Sequence, residues 1–240
     1  MLDYLKKTYN KSQGEFHKKA DEALLGGEKM FIVTANPEIF MTAQTNPEFD
    51  SVVKDDSVTI VPDGIGVVKA LRMAGLDENG RIPGVELSQH LLETASEHKK
   101  SVCFFGAKQE VLDDLLERCK KDFPGALIVG AYNGYTDNKD GIFEEIAQKK
   151  PDLVLVALGV PAQELLIAKH IDKFEKGIFI GVGGTFDVLS GTKQRAPKFF
   201  IKCNLEWLYR ILKEPSRIGR FYRSNVKFFS QVKKELKRIK

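Results

Sequence analysis

Six short runs along the first 185 residues are almost continuously apolar: "MFIVT" (30–34), "VTIVP" (58–62), "SVCFFG" (101–106), "ALIVG" (126–130), "DLVLVALG" (152–159) and "GIFIGVGG" (177–184). Val, Ile and Phe dominate them, the signature of strands buried on both faces. Longer stretches of helical spacing separate the runs. In "AKQEVLDDLLERCKK", for example, Val111, Leu112, Leu115, Leu116 and Cys119 recur at helical intervals. Strands alternating with helices predict an α/β fold, a parallel sheet with right-handed crossovers and helices on both faces.

The pattern changes after residue 194. Ser216 is a plausible N-cap for a final helix of about 23 residues, about 35 Å long. Ile218, Phe221, Tyr222, Phe229, Val232, Leu236 and Ile239 fall near one face of that helix, with Arg and Lys on the others. The chain therefore divides into a core, 1–194, and a basic amphipathic C-terminal appendage, 195–240.

Charge sharpens this division. The net charge of +4 conceals fourteen Lys/Arg against three Asp/Glu from Arg195 to Lys240, and 23 against 30 before it. A +11 tail on a −7 body implies an anionic partner. A basic helix with Phe anchors suits an anionic membrane surface. Nucleic acid fits less well, because no helix-turn-helix, RNP or zinc-finger pattern accompanies the charge. Packing of the apolar stripe on the body, or in a homo-oligomer, is the plainer alternative. No run of 18 apolar residues could span a bilayer, and "MLDYLKKTYNKSQGEF" lacks a signal peptide's apolar segment, so a cytoplasmic location is expected. Cys103, Cys119 and Cys203 are far apart and odd in number, which argues against both a disulfide framework and a zinc site.

In an open parallel sheet, ligands bind beyond the carboxyl ends of the strands. Four such exits carry polar or Gly-rich loops: "TANPE" (34–38), "PDGIG" (62–66), "FGAKQE" (105–110) and "LGVPAQE" (158–164). They nominate Thr34, Asn36, Asp63, Gly64, Gly106 and Gln163 for one site. Each has a plainer reading. Asn36 before Pro37 is a good helix cap, Asp63 can cap a helix starting near Gly66, and Gly159 and Pro161 can be turn punctuation. GxGxxG, GxxxxGK[ST] and HExxH are all absent, as is an Asp-x-Asp pair for a metal-bound diphosphate. A bound diphosphate would then be met by Arg, Lys or helix N-termini.

The segments "TANPE", "VPDGIG", "RIPGVEL", "FFGAKQE", "GYTD", "LGVPAQE", "GVGGTFDVLSGTKQRAPKFF" and "LEWLYRILKEPSR" resemble, in order and spacing, the WecG/TagA/CpsF glycosyltransferases. The match runs from about Lys29 to Arg223. The chain looks most like the TagA-type branch, N-acetylmannosaminyltransferases of wall teichoic acid synthesis. It departs from the pattern at Glu86, Thr185, Phe199 and Asn204, where Asp, Ala, Trp and Gly are commoner.

The resemblance implies a Rossmann-like core that needs neither metal nor cofactor, working at the inner face of the plasma membrane. The implied reaction moves N-acetylmannosamine from its UDP sugar to N-acetylglucosamine on undecaprenyl diphosphate, with inversion to a β-1,4 linkage. N-acetylmannosamine uronic acid or a hexose stays open as the donor sugar, and so does a non-catalytic module that only binds a nucleotide sugar. Asp63 is the candidate base, with Thr34, Asn36 and Gln163 as sugar or acceptor contacts. Arg81 and Glu86 are candidates for the nucleotide. Arg210, Arg217 and Arg220, with Arg223 beside them, would meet the diphosphate.

Overall fold

A computed structural model describes residues 1–239; the side chains of Arg217, Arg220 and Ile239 lie outside the described residues. Two helices come first, α1 (Leu2–Lys7) and α2 (Gln13–Gly26), then β1 (Lys29–Ala35), α3 (Pro37–Ala43), α4 (Pro47–Lys54) and β2 (Val58–Pro62). The chain continues through α5 (Ile65–Met73), α6 (Gly84–Glu97), β3 (Ser101–Gly106), α7 (Gln109–Asp122), β4 (Leu127–Tyr132) and α8 (Lys139–Gln148). Next come β5 (Leu153–Ala157), α9 (Ala162–His170), β6 (Gly177–Gly181) and α10 (Thr185–Leu189). The appendage holds α11 (Lys198–Lys202), α12 (Glu206–Lys213) and α13 (Ile218–Ile239).

The strands form one parallel sheet in the order β2-β1-β6-β5-β3-β4, an α/β Rossmann-like architecture. All six strands fall where the apolar runs predict them. Alternate strand residues feed two cores, as the two-residue period of a strand requires. Phe31, Val33, Ile60, Phe105, Val154 and Phe179 pack with α1, α3, α4, α5, α8, α9 and α13. Ile32, Val61, Phe104, Leu155 and Ile180 pack with α2, α6, α7 and α10 on the other face. The motifs that carry the resemblance begin at about Lys29, and α1 and α2 before them are integral to the core. Tyr4 and Leu5 enter the first core, Phe16 and Leu24 the second, and Thr8 bridges to Ile60 beside β2.

The tail helix is half committed to the body. Phe228 and Val232 are buried, with the Phe228 ring stacked 6.2 Å from that of Phe40 on α3, and Leu236 packs against the same core. The leading part of α13 differs, since Ile218, Tyr222 and Val226 are exposed. The single stripe expected along this helix is thus divided between body and solvent, and Ile239, which belonged to it, is outside the described side chains. Ser216 does not cap the helix, because it lies inside a 3-10 turn, Pro215–Arg217, that runs directly into α13. Among the described residues no helix is long and apolar enough to cross a membrane.

Candidate functional site at the exits of β1 and β2

Parallel pairing of β1 with β2 puts Thr34 opposite Val61 and Ala35 opposite Pro62. Both the Asp63 and Gly64 amides then donate to the Ala35 carbonyl, at 2.9 and 3.1 Å. Asn36 and Asp63 therefore leave the sheet side by side. A Cβ at Gly64 would lie 3.0 Å from the Asn36 Cβ, so glycine is what lets these two loops approach so closely.

Asp63 does not cap α5, whose N-cap is Gly64 without a side-chain bond. Its Oδ1 instead accepts the amide N–H of Gly84, the first residue of α6, at 3.1 Å. The loop carrying Arg81 is pinned next to this point, since the Ile82 amide donates to the Pro62 carbonyl at 2.8 Å. Burial pushes the Asp63 carboxyl above its ordinary range. The Gly84 amide and the charges of Arg210 and Arg81 oppose that rise, while Glu206 adds to it.

Those charged neighbours form one cluster. Glu206 opens α12 and is only 7% exposed; its Oε1 lies 2.6 Å from Arg210 Nη2, and its Oε2 4.0 Å from Arg81 Nη1. Arg81 and Arg210, from widely separated segments, are thereby joined through Glu206, and the charges of both act on Asp63. Glu206 was missed. An acid four residues before an arginine on a helix reads as a surface pair.

Other candidates take more structural positions. Thr34 Oγ1 donates to the Gly181 carbonyl at 3.2 Å, tying β1 to β6, and its Cγ2 would lie 3.1 Å from a Cβ on Gly84. Asn36 Oδ1 accepts the Glu38 and Ile39 amides, so this end of the side chain caps α3, and Pro37 occupies the first helical position. Gln163 is 2% exposed and joins two strand exits. Its Oε1 accepts the amides of both Gly159 and Gly183 at 3.1 Å, and its Nε2 donates to Glu164 Oε1 at 2.7 Å. In this conformation the amide serves as a clamp between the β5 and β6 loops.

Glu164 itself is 1% exposed, and its Oε2 has no hydrogen-bond partner. Burial raises its pKa to about 7 against the pull of the Gln163 hydrogen bond. A side chain on Gly181 would strike this pair, with Gln163 Nε2 at 2.6 Å and Glu164 Oε1 at 2.8 Å from its Cβ.

Glu86, on α6, accepts hydrogen bonds from Arg195 and from Gln13, the latter at 2.9 Å. Burial works against its ionisation, but these bonds and the Arg195 and Arg81 charges hold its carboxyl below the usual range. Gly106 stands apart. It ends β3, four strands from β2 or about 19 Å at ordinary strand spacing. There its φ of +136° and a Cβ position 2.3 Å from the Ala157 carbonyl oxygen demand glycine. Arg223 donates back to the Gly219 carbonyl of its own helix. Arg217 and Arg220 cannot be placed, because their side chains lie outside the described residues. Among those described, no group of three or more His, Cys, Asp or Glu is arranged to hold a metal ion.

Comparison with known proteins gives this arrangement its context. A Bacillus spizizenii protein named N-acetylglucosaminyldiphosphoundecaprenol N-acetyl-beta-D-mannosaminyltransferase is 45% identical over 187 residues, covering 78% of this chain and 72% of that one. Proteins of the same name from Bacillus subtilis and Staphylococcus aureus strain MW2 are each 37% identical, over 209 and 212 residues. Those alignments cover 87% and 88% of this chain and 81% and 82% of the relatives. Residues 4–240 match the family described as the glycosyl transferase WecG/TagA/CpsF family. The parallel α/β core, the loops gathered at its strand exits and a match over nearly the whole chain lead to one conclusion: the chain belongs to the WecG/TagA/CpsF family of glycosyltransferases.

Proposed function

We propose that the protein transfers N-acetylmannosamine from UDP-N-acetylmannosamine to the 4-hydroxyl of N-acetylglucosamine carried on undecaprenyl diphosphate, inverting the anomeric centre. The observation that carries this reading is one carboxylate, Asp63, at the exits of β1 and β2 under the charges of two guanidinium groups, Arg81 and Arg210, which Glu206 links to each other. Inverting transfer needs this pairing of a base with cationic groups.

In this mechanism Asp63 accepts the proton of the acceptor hydroxyl as its oxygen bonds to the anomeric carbon. The bond from that carbon to the donor's diphosphate breaks on the opposite side, and UDP departs with the electron pair. Arg81 and Arg210, with Arg217 and Arg220, meet the charge on the diphosphate; guanidinium suits this because it stays ionised and binds phosphate through two N–H groups. Metal-independent chemistry follows if arginine supplies all of that charge. A pKa raised by burial makes Asp63 a better base than an exposed aspartate. Gly106 and its neighbours at the β3 and β5 exits suit the nucleotide end of an extended donor.

The acceptor belongs to a membrane, and the appendage suits an approach to one from the cytoplasmic side. Ile218, Tyr222 and Val226 stand exposed at intervals of four residues, and Phe199 and Leu212 are exposed on the same appendage among Lys and Arg. The test is UDP release by the full-length protein with a short-chain lipid-diphosphate N-acetylglucosamine acceptor, across a panel of UDP sugars. Release with UDP-N-acetylmannosamine that depends on the acceptor is the expected result. A preference for the uronic acid or a hexose would change the donor, and no release with any sugar would favour a binding module.

A further inference from the structure

We infer that Glu206 is a positioning residue, holding Arg210 of the appendage and Arg81 of the core loop together beside Asp63. This rests on the reading of Asp63 and the two arginines given above. A carboxylate this deeply enclosed is unfavourable unless it is paired, and breaking such a pair is more costly than its net worth suggests. Glu206 meets that requirement with partners 129 residues apart in sequence, Arg81 at 4.0 Å and Arg210 at 2.6 Å. A helical i,i+4 pair alone would leave the glutamate in solvent. Here it points inward and links α12 to the loop before α6, which the Ile82 amide fastens to β2.

Two consequences follow. First, Arg210 is half exposed and lies on a short helix, and among the described residues Glu206 is the one that hydrogen-bonds its guanidinium. Second, Glu206 places a negative charge near Asp63. The described groups acting on Asp63 are the Gly84 amide, Arg210, Arg81 and Glu206, and removing only the last leaves three that favour the ionised form. A substitution that preserves shape but removes the charge therefore separates the electrostatic role from packing.

The experiment compares the wild-type chain with Glu206→Gln, Glu206→Ala, Arg210→Ala and the double variant Glu206→Ala/Arg210→Ala. Asp63 is followed by carbon-13 NMR of its side-chain carboxyl, which needs no substrate. In Glu206→Gln its titration is expected to move to lower pH, because a negative charge that raises it is gone, and the acid limb of kcat/KM to move with it. Glu206→Ala is expected to lower kcat/KM at least about tenfold, and the double variant to be no slower than Arg210→Ala alone, because residues acting as a unit are not additive.

Losses that multiply in the double variant, or an Asp63 titration unmoved in Glu206→Gln, would overturn the inference. If the wild type releases no UDP while the NMR titration shifts as expected, the proposed reaction fails and the link from Glu206 to Asp63 stands. Thermal denaturation of each variant identifies any that has simply failed to fold.

Discussion

Asp63, the last polar residue before α5, accepts the first amide of α6 at Gly84, so one carboxylate both closes the helix start and lies under the charges of Arg210 and Arg81. Its two duties can be separated. In Asp63→Asn the carboxamide oxygen can still accept the Gly84 amide, but the proposed base is gone. Turnover is expected to fall at least about 100-fold with the melting temperature nearly unchanged. Asp63→Ala should lose the same activity and also about 1 kcal/mol of capping, or about 2–4 °C in a domain of this size. UDP release and thermal denaturation read the two effects; near-normal turnover in Asp63→Asn would remove Asp63 as the base.

Glu164 predicts a pH dependence of stability. Its folded-state pKa of about 7 stands above the ordinary 4.5, so between those values the folded protein holds a proton that the unfolded chain releases. Its stabilising contribution is complete below about pH 4.5 and is lost as pH rises through 7. Glu164→Gln mimics the protonated form and should flatten this dependence. Urea denaturation at pH 5 and pH 8 is expected to show the wild type losing about 2–3 kcal/mol more than the variant across that interval. Equal losses in the two proteins would mean that Glu164 ionises without penalty.

Phe228→Ala tests how the tail is held. The side chain is fully buried against Phe40 and Phe229, and a cavity there should cost about 3–5 kcal/mol. Undocking of α13 should also let its backbone unwind, so that trypsin can cleave at Lys and Arg side chains that are already exposed. Cleavage within 196–240 is expected to be faster in the variant than in the wild type under native conditions, and an unchanged digestion pattern would argue that the helix is held elsewhere.

The exposed stripe makes a separate prediction. Serine at Ile218, Tyr222 and Val226 together removes apolar surface that is already in solvent, so folding stability should hardly change. Sedimentation with anionic liposomes should weaken at least about tenfold, and salt should weaken the remaining charge-driven binding further. Retained binding by the triple variant would show that charge alone brings the tail to the bilayer.

The sheet was legible because its strands are buried on both faces and so leave unbroken apolar runs. At β4 the run misplaced the boundary by one to two residues, since this edge strand is only partly covered and its pattern is weaker. Helix α2 was missed although Ser12-Gln13-Gly14-Glu15 spells a capping box, which the structure forms in both directions. Asp63 was nominated by its place at a strand exit, whereas Arg81 and Arg210 were nominated through the family resemblance. Glu206 was hidden because burial between two distant segments leaves no local trace. The divided tail was hidden for a related reason, as Phe228 and Phe229 are adjacent in sequence and only the docked helix decides which of them enters the core.

The docking of Phe228 and Val232 also fixes a dimension. With its rear half fastened to α3, α13 is a strut whose exposed residues, Ile218 to Val226, span about 12 Å along the helix axis. If these residues enter the headgroup layer, the strut acts as a depth gauge. It would hold the exits of β1 and β2 at a set height above the bilayer, so that the proposed lipid acceptor must present its sugar at that level.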